Sequence, residues 1–214
     1  MNFSQWRLNE QTEINKMIVT VPEKKEFEMA PEGMINAVCV DVIDVGQAMG
    51  LTPDKLGRYL VPPKDPTHKA KARVRIVFEL ESKMEDGRPF ASHLEVPCSF
   101  YKPAPGQYGQ IAKLRDQLEN WGVELPADIG EPGTSLDLKS LLLGQQATLR
   151  IKHNPDKAGR LWANISTVNP SSAVVEPSGE WDTDAARSRL KDRALKATVA
   201  AAVSSTTDNE DVPL

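Results

Sequence analysis

Lysine, arginine and aromatic side chains recur along this chain at spacings suited to holding a polyanion. KARVRIVFELES, residues 71–82, sets Lys71, Arg73 and Arg75 on alternate positions. Before it stand Arg58 and Tyr59, with Lys55, Lys64, His68 and Lys69 around them. After it come Tyr101 and Lys102, then Arg150, Lys152 and His153, then Lys157, Arg160 and Trp162. Cations follow phosphates, and bases stack on rings at about 1–3 kcal/mol each, so this mixture suits a groove for single strands. Each residue also has an ordinary reading. An arginine on an outer strand face is usually just solvated, and a tryptophan is more often core than platform.

Residues for bond-making chemistry are missing. There is no GxxxxGKS/T phosphate loop and no HExxH pair. His68, His93 and His153 are scattered, as are Cys39 and Cys98, so no metal-ligand spacing arises. Asp41 and Asp44 stand three apart near a strand end and point to opposite faces. The sequence therefore predicts no enzyme, no metal and no cofactor.

The charge total is modest: 26 basic and 30 acidic residues, a formal net charge of −4. It hides a split. Residues 69–160 hold 14 Lys/Arg against 12 Asp/Glu, while residues 1–68 hold 7 against 10 and residues 171–214 hold 5 against 8. A less acidic middle between acidic arms is consistent with an anion-binding core. Cys39 and Cys98 lie in apolar runs, where free cysteine behaves as a small hydrophobe. With no secretion signal, they predict a reducing, cytoplasmic setting and no disulfide. No stretch approaches the roughly 18 apolar residues of a membrane span.

The elements that must position the cations follow from periodicity. Residues 34–45, MINAVCVDVIDV, read as a buried strand. Residues 46–70 carry three glycines and four prolines and read as a long loop. In 71–82, Ala72, Val74, Ile76, Phe78 and Leu80 face one way and Lys71, Arg73, Arg75, Glu79 and Glu81 the other. Asp86-Gly87 is a hairpin signal, and 88–101 returns with Phe90, Leu94, Val96, Cys98 and Phe100 inward. Residues 107–122 change period: Ile111, Leu114, Leu118 and Trp121 mark an amphipathic helix that Gly122 stops. Asp137 caps a short helix. Residues 146–154 and 161–168 are two more strands around a turn at 154–159.

That order predicts a mainly β fold: a five-stranded OB-fold barrel with a helix between the third and fourth strands. An antiparallel α+β sandwich shares the order. The division is an N-terminal arm (1–30, expected flexible), the barrel (31–170), a Ser/Pro/Gly-rich linker (171–181), and a helix-prone segment with an acidic C-terminal tail (182–214). In an OB-fold the second and third strands and the loops joining strands 1–2 and 4–5 bind oligonucleotides, which is where Arg73, Arg75, Arg58, Lys157 and Arg160 fall.

KARVRIVFEL, GRPF, LRDQLENW, SLDLKSLLLGQQATLRIKHN and GRLWANISTVNP together resemble small OB-fold proteins from tailed-phage replication and recombination gene clusters, over about residues 30–170. The resemblance implies single-stranded DNA binding. It carries onto the basic outer face of the second strand, Arg73 and Arg75, and onto Trp162 before Ala163-Asn164-Ile165. The ending TTDNEDVPL resembles the C-terminal tip of bacterial-type single-stranded-DNA-binding proteins, with Leu214 where a phenylalanine is usual. That likeness implies that Asp208, Glu210, Asp211, Val212, Pro213 and Leu214 dock replication and recombination enzymes: acids against a basic rim, a terminal apolar side chain in a pocket. A solvated end is the ordinary alternative. The rival functional reading is an OB-fold adaptor that recruits a recombinase or nuclease without touching DNA. Homo-oligomerisation is left open.

Overall fold

Gly33–Asp44 forms β1, and both of its flanks are paired. The computed structural model describes residues 28–107 and 109–206. After β1 come α1 (Val45–Ala48), β2 (Leu60–Val61), β3 (Lys71–Lys83), β4 (Pro89–Pro97), α2 (Lys113–Asn120), α3 (Leu138–Leu142), β5 (Gln146–Pro155), β6 (Leu161–Pro170) and α4 (Thr183–Thr206). β1 pairs antiparallel with β3 (Ala37 opposite Leu80, Asp44 opposite Val74) and with β5 (Met34 opposite Arg150). β4 extends the sheet from β3 and β6 from β5. The sheet curls into a half-barrel in which β4 and β6 touch. No ladder joins those two strands among the described residues.

Alternation explains the inner face. Val74, Ile76, Phe78 and Leu80 of β3, Phe90, Leu94 and Val96 of β4, and Leu149 and Ile151 of β5 point into one apolar cluster. Leu114 and Leu118 of α2, Trp121 and Leu142 fill its open side. The Trp121 ring lies 5.3 Å from that of Phe78, and its indole N–H donates to the Gln146 carbonyl at 2.7 Å. Gly122 follows at φ +78°, where a Cβ would also meet Pro170 at 3.2 Å, so only glycine turns the chain there without strain.

Several expectations need correction. Counted with the two-residue β2, which lies inside the stretch read as loop, the third and fourth strands are joined by the Asp86-Gly87 turn and no helix stands between them. The helices α2 and α3 fall between β4 and β5. The α2 helix starts at Lys113, not at 107, because Pro103, Pro105, Gly106 and Gly109 break the preceding chain. Ile111 is therefore exposed in a loop. β4 stops at Pro97, so Cys98 is an exposed thiol rather than an inward-facing one.

The outer face is covered over part of its area. Residues 171–181, expected as linker, cross it and find partners. Ser178 donates through its backbone N–H and its hydroxyl to the buried Glu79 carboxylate, at 2.7 and 2.8 Å. The Trp181 indole donates to buried Asp41 at 3.0 Å. Ala186 and Leu190 of α4 then pack on Ile43, Val45 and Val77 in a second apolar cluster. Among the described residues no helix is long and apolar enough to cross a membrane.

Candidate nucleic-acid interface

The start of β3 and the end of β4 carry the predicted arginines. Register sets Arg75 opposite Glu95 and Arg73 opposite Pro97. Both guanidiniums close on one carboxylate: Arg73 Nε reaches Glu95 Oε1 at 2.9 Å and an Arg75 terminal nitrogen reaches Oε2 at 2.7 Å. Burial pushes the Glu95 carboxyl up, but hydrogen bonds from Arg75 and Arg73 outweigh it and hold the group below its ordinary value. The trio keeps one net positive charge. Arg75 Nε is buried without a partner.

A cleft of about 660 Å³ opens beside this trio. Its far wall is the Pro62-Pro63 stretch with Lys64, Asp65, His68 and Lys69, its floor is Lys71 and Arg73, and Arg193 of α4 reaches in from the side. Five Lys/Arg side chains thus face two carboxylates there. A second cavity of about 590 Å³ adjoins it, since Lys71 and Pro97 line both. That one is bordered by Arg58, Leu60, Tyr101, Ile111 and Lys113. Tyr101 is 55 % exposed. The two lie on opposite faces at this end of the sheet: Val61, Lys71, Arg73 and Glu95 line the first, Leu60, Ala72 and Cys98 the second, so the cations of the cleft and the Tyr101 ring are on separate sides.

A second basic group sits on the β5–β6 hairpin. Arg150 and Lys152 are exposed on the outer face of β5, and neither has an ion pair among the described residues. Trp162 is 48 % exposed, with the Arg160 guanidinium 5.9 Å from its ring centroid. Asp156 organises the turn. It accepts the backbone N–H groups of Ala158 and Arg160 at 2.8 and 2.9 Å, Arg160 Nε at 2.9 Å and the Trp162 indole at 3.3 Å. The Arg160 backbone N–H is the main reason its carboxyl is held down at about 2.

The same device recurs in the first loop. PDKLGR (53–58) repeats PDKAGR (155–160), with Asp54 accepting Leu56 N–H, Arg58 N–H and Arg58 Nε at 2.9, 2.8 and 2.9 Å. In both turns the residue before arginine is a glycine, at φ +74° and +77°.

The predicted site residues therefore divide. Lys71 and Arg73 line the first cavity, and Arg58, Lys71 and Tyr101 line the second, with Arg75 behind them on Glu95. Arg150, Lys152, Lys157, Arg160 and Trp162 belong to the hairpin, which register places toward the Gly33 end of β1. Arg73 lies beyond its Asp44 end. Lys102 turns away to Glu119 at 3.2 Å. Tyr59 is half-buried, its backbone packed so closely on α1 that a Cβ on Gly46 would stand 2.5 Å from its carbonyl oxygen. Asp208, Glu210, Asp211, Val212, Pro213 and Leu214 lie outside the described residues. Sequence reasoning missed Arg193, whose helix has no periodic signal pointing to a groove, and missed that Glu95 pairs both arginines. Among the described residues no cluster of His, Cys, Asp or Glu is arranged to hold a metal ion.

Neither the models of known protein families nor the curated proteins contain a match to this sequence.

Proposed function

We propose that this protein binds single-stranded DNA without regard to base sequence, in replication or recombination, and recruits partner enzymes through its C-terminal tip. One observation carries the reading: the cleft in which Lys64, Lys69, Lys71, Arg73 and Arg193 converge. A single strand satisfies such a surface with its phosphates on the cations. The sheet order supports an OB-fold, since the first long strand is central and the two long hairpins leave from either flank. No catalysis is part of the reading. Titration of a fluorescently labelled oligo-dT at two salt concentrations tests it: affinity falls linearly with salt on a logarithmic scale as counterions are released. Absence of binding at low salt refutes it.

The ion pairs favour a second reading. Arg58, Arg73, Arg75 and Arg160 are all engaged with carboxylates, which lowers the charge available for phosphate. On that reading the domain is an adaptor for a recombinase or nuclease and touches no DNA. Arg73→Glu with Arg75→Glu separates the two. An adaptor keeps its partners in a pull-down, whereas a DNA-binding protein loses affinity and salt slope together.

A further inference from the structure

Among the described side chains, those that anchor the C-terminal helix to the sheet lie in its N-terminal part. Its approach is fixed by Trp181 on Asp41 and Ser178 on Glu79. Within the helix, Ala186 and Leu190 are buried against the sheet. From Lys191 to Val199 every side chain except that of Ala194 is exposed. The side-chain bonds of α4 are internal to it: Arg187 with Asp184, and the Thr198 hydroxyl with the Ala194 carbonyl. Among the described residues no hydrogen bond or ion pair ties an α4 side chain to the sheet.

Arg193 follows the last buried residue by one turn and lines the basic cleft. It faces like charge there. Lys64, Lys69, Lys71 and Arg73 outnumber Asp65 and Glu95. Arg193 also acts on His93: loss of hydration and then Arg75 hold that imidazole below its ordinary value, Glu95 opposes them, and Arg193 adds the smallest part. Like charge in the cleft walls repels Arg193, and a polyanion between them would attract it.

We propose that α4 is a movable wall of the cleft, that Arg193 is its contact with the phosphates of the bound strand, and that helix docking and strand binding reinforce each other. The inference rests on the reading of the cleft as a single-strand site. Coupling of this kind is reciprocal: the strand pins the helix, and anything that draws the helix off the sheet loosens the strand by the same factor. Because the acidic tip follows α4 in the chain, a partner that pulls on the tip acts on the grip of the cleft.

Amide hydrogen exchange on the full chain, with and without oligo-dT at low salt, tests this. Binding slows exchange across residues 183–195. Arg193→Glu weakens binding several-fold, lowers the salt slope by about 0.7 for the lost phosphate contact, and removes the added protection. Leu190→Asp, which undocks the helix, weakens binding likewise; should it fail to fold, the exposed Arg193 change still decides. Unchanged α4 exchange on binding, or an Arg193→Glu chain that binds as the unaltered chain does, overturns the movable wall and leaves single-strand binding standing. If the unaltered chain does not bind oligo-dT at low salt, the reading of the cleft falls, and this inference falls with it.

Discussion

Glu95 decides how much of the predicted charge is on offer. A phosphate entering the cleft competes with its carboxylate for Arg73 and Arg75, and the outcome is a small difference between large terms. Glu95→Gln removes the competitor. Single-strand affinity should rise at low salt, with a steeper salt slope, in an oligo-dT titration. The same change leaves Arg75, with a side chain only 14 % exposed, without its anion. Stability should drop by about 1–3 kcal/mol in urea unfolding. The sign of the pH effect follows from a carboxyl held below its ordinary value of 4.5. Its contribution is complete above that value and is lost as pH falls below it, so Glu95→Gln should flatten acid unfolding in that window. On the hairpin, Asp156→Asn keeps the size of the side chain and removes the charge that holds Arg160. Trp162 should lose its polarised indole partner, and the change in its emission, measured against Trp162→Phe, checks this. Oligo-dT binding should tighten if a freed Arg160 reaches phosphate.

The loop between β1 and β3 owes its position to α1. Gly46 is buried under Tyr59, and the approach leaves no room for a methyl group. Gly46→Ala should cost about 1–3 kcal/mol through overpacking and shift the Asp54–Arg58 turn. Urea unfolding and backbone amide shifts of residues 53–60 would register both. At this scale the sequence was partly legible. Alternation in 71–82 places Val74, Ile76, Phe78 and Leu80 inside and Arg73 and Arg75 outside, as found. Val77 and Glu79 share the outer face with the arginines yet are buried, because α4 and residues 171–181 lie over them. Periodicity reports which face a side chain takes, not what covers that face. The pairing of Glu95 with Arg73 and Arg75 depends on cross-strand register, which no local pattern contains. β2, two residues long, is below the length at which alternation is visible at all.

At the scale of the whole molecule, charge is arranged so that a basic cleft stands within a chain of net charge −4. Deleting Asp208–Leu214 removes three acids and the apolar tip. Folding should change by less than about 0.5 kcal/mol, as for exposed sites generally, in thermal or urea unfolding. Single-strand affinity should stay the same or rise slightly at low salt, as a competing anionic segment is gone. Recovery of partner enzymes in a pull-down should fail, and Leu214→Ala alone should reproduce much of that failure. Recovery of the same proteins with and without the tip would make it a solvated end. The strap over the outer face also sets a timetable. Trp181 reaches Asp41 across 140 positions, and Ser178 reaches Glu79 across 99. β1 is among the first parts made, and its partner β5 begins more than a hundred residues later. Chain leaves the ribosome at about 5–20 residues per second, so the early strands wait for seconds with an unpaired edge and with Glu79 and Asp41 not yet covered by the strap. Closure of such distant pairs is slow by nature. The last third of the polypeptide completes the sheet, and a nascent chain halted before residue 178 would hold one in which Glu79 has not yet met Ser178 nor Asp41 the Trp181 indole.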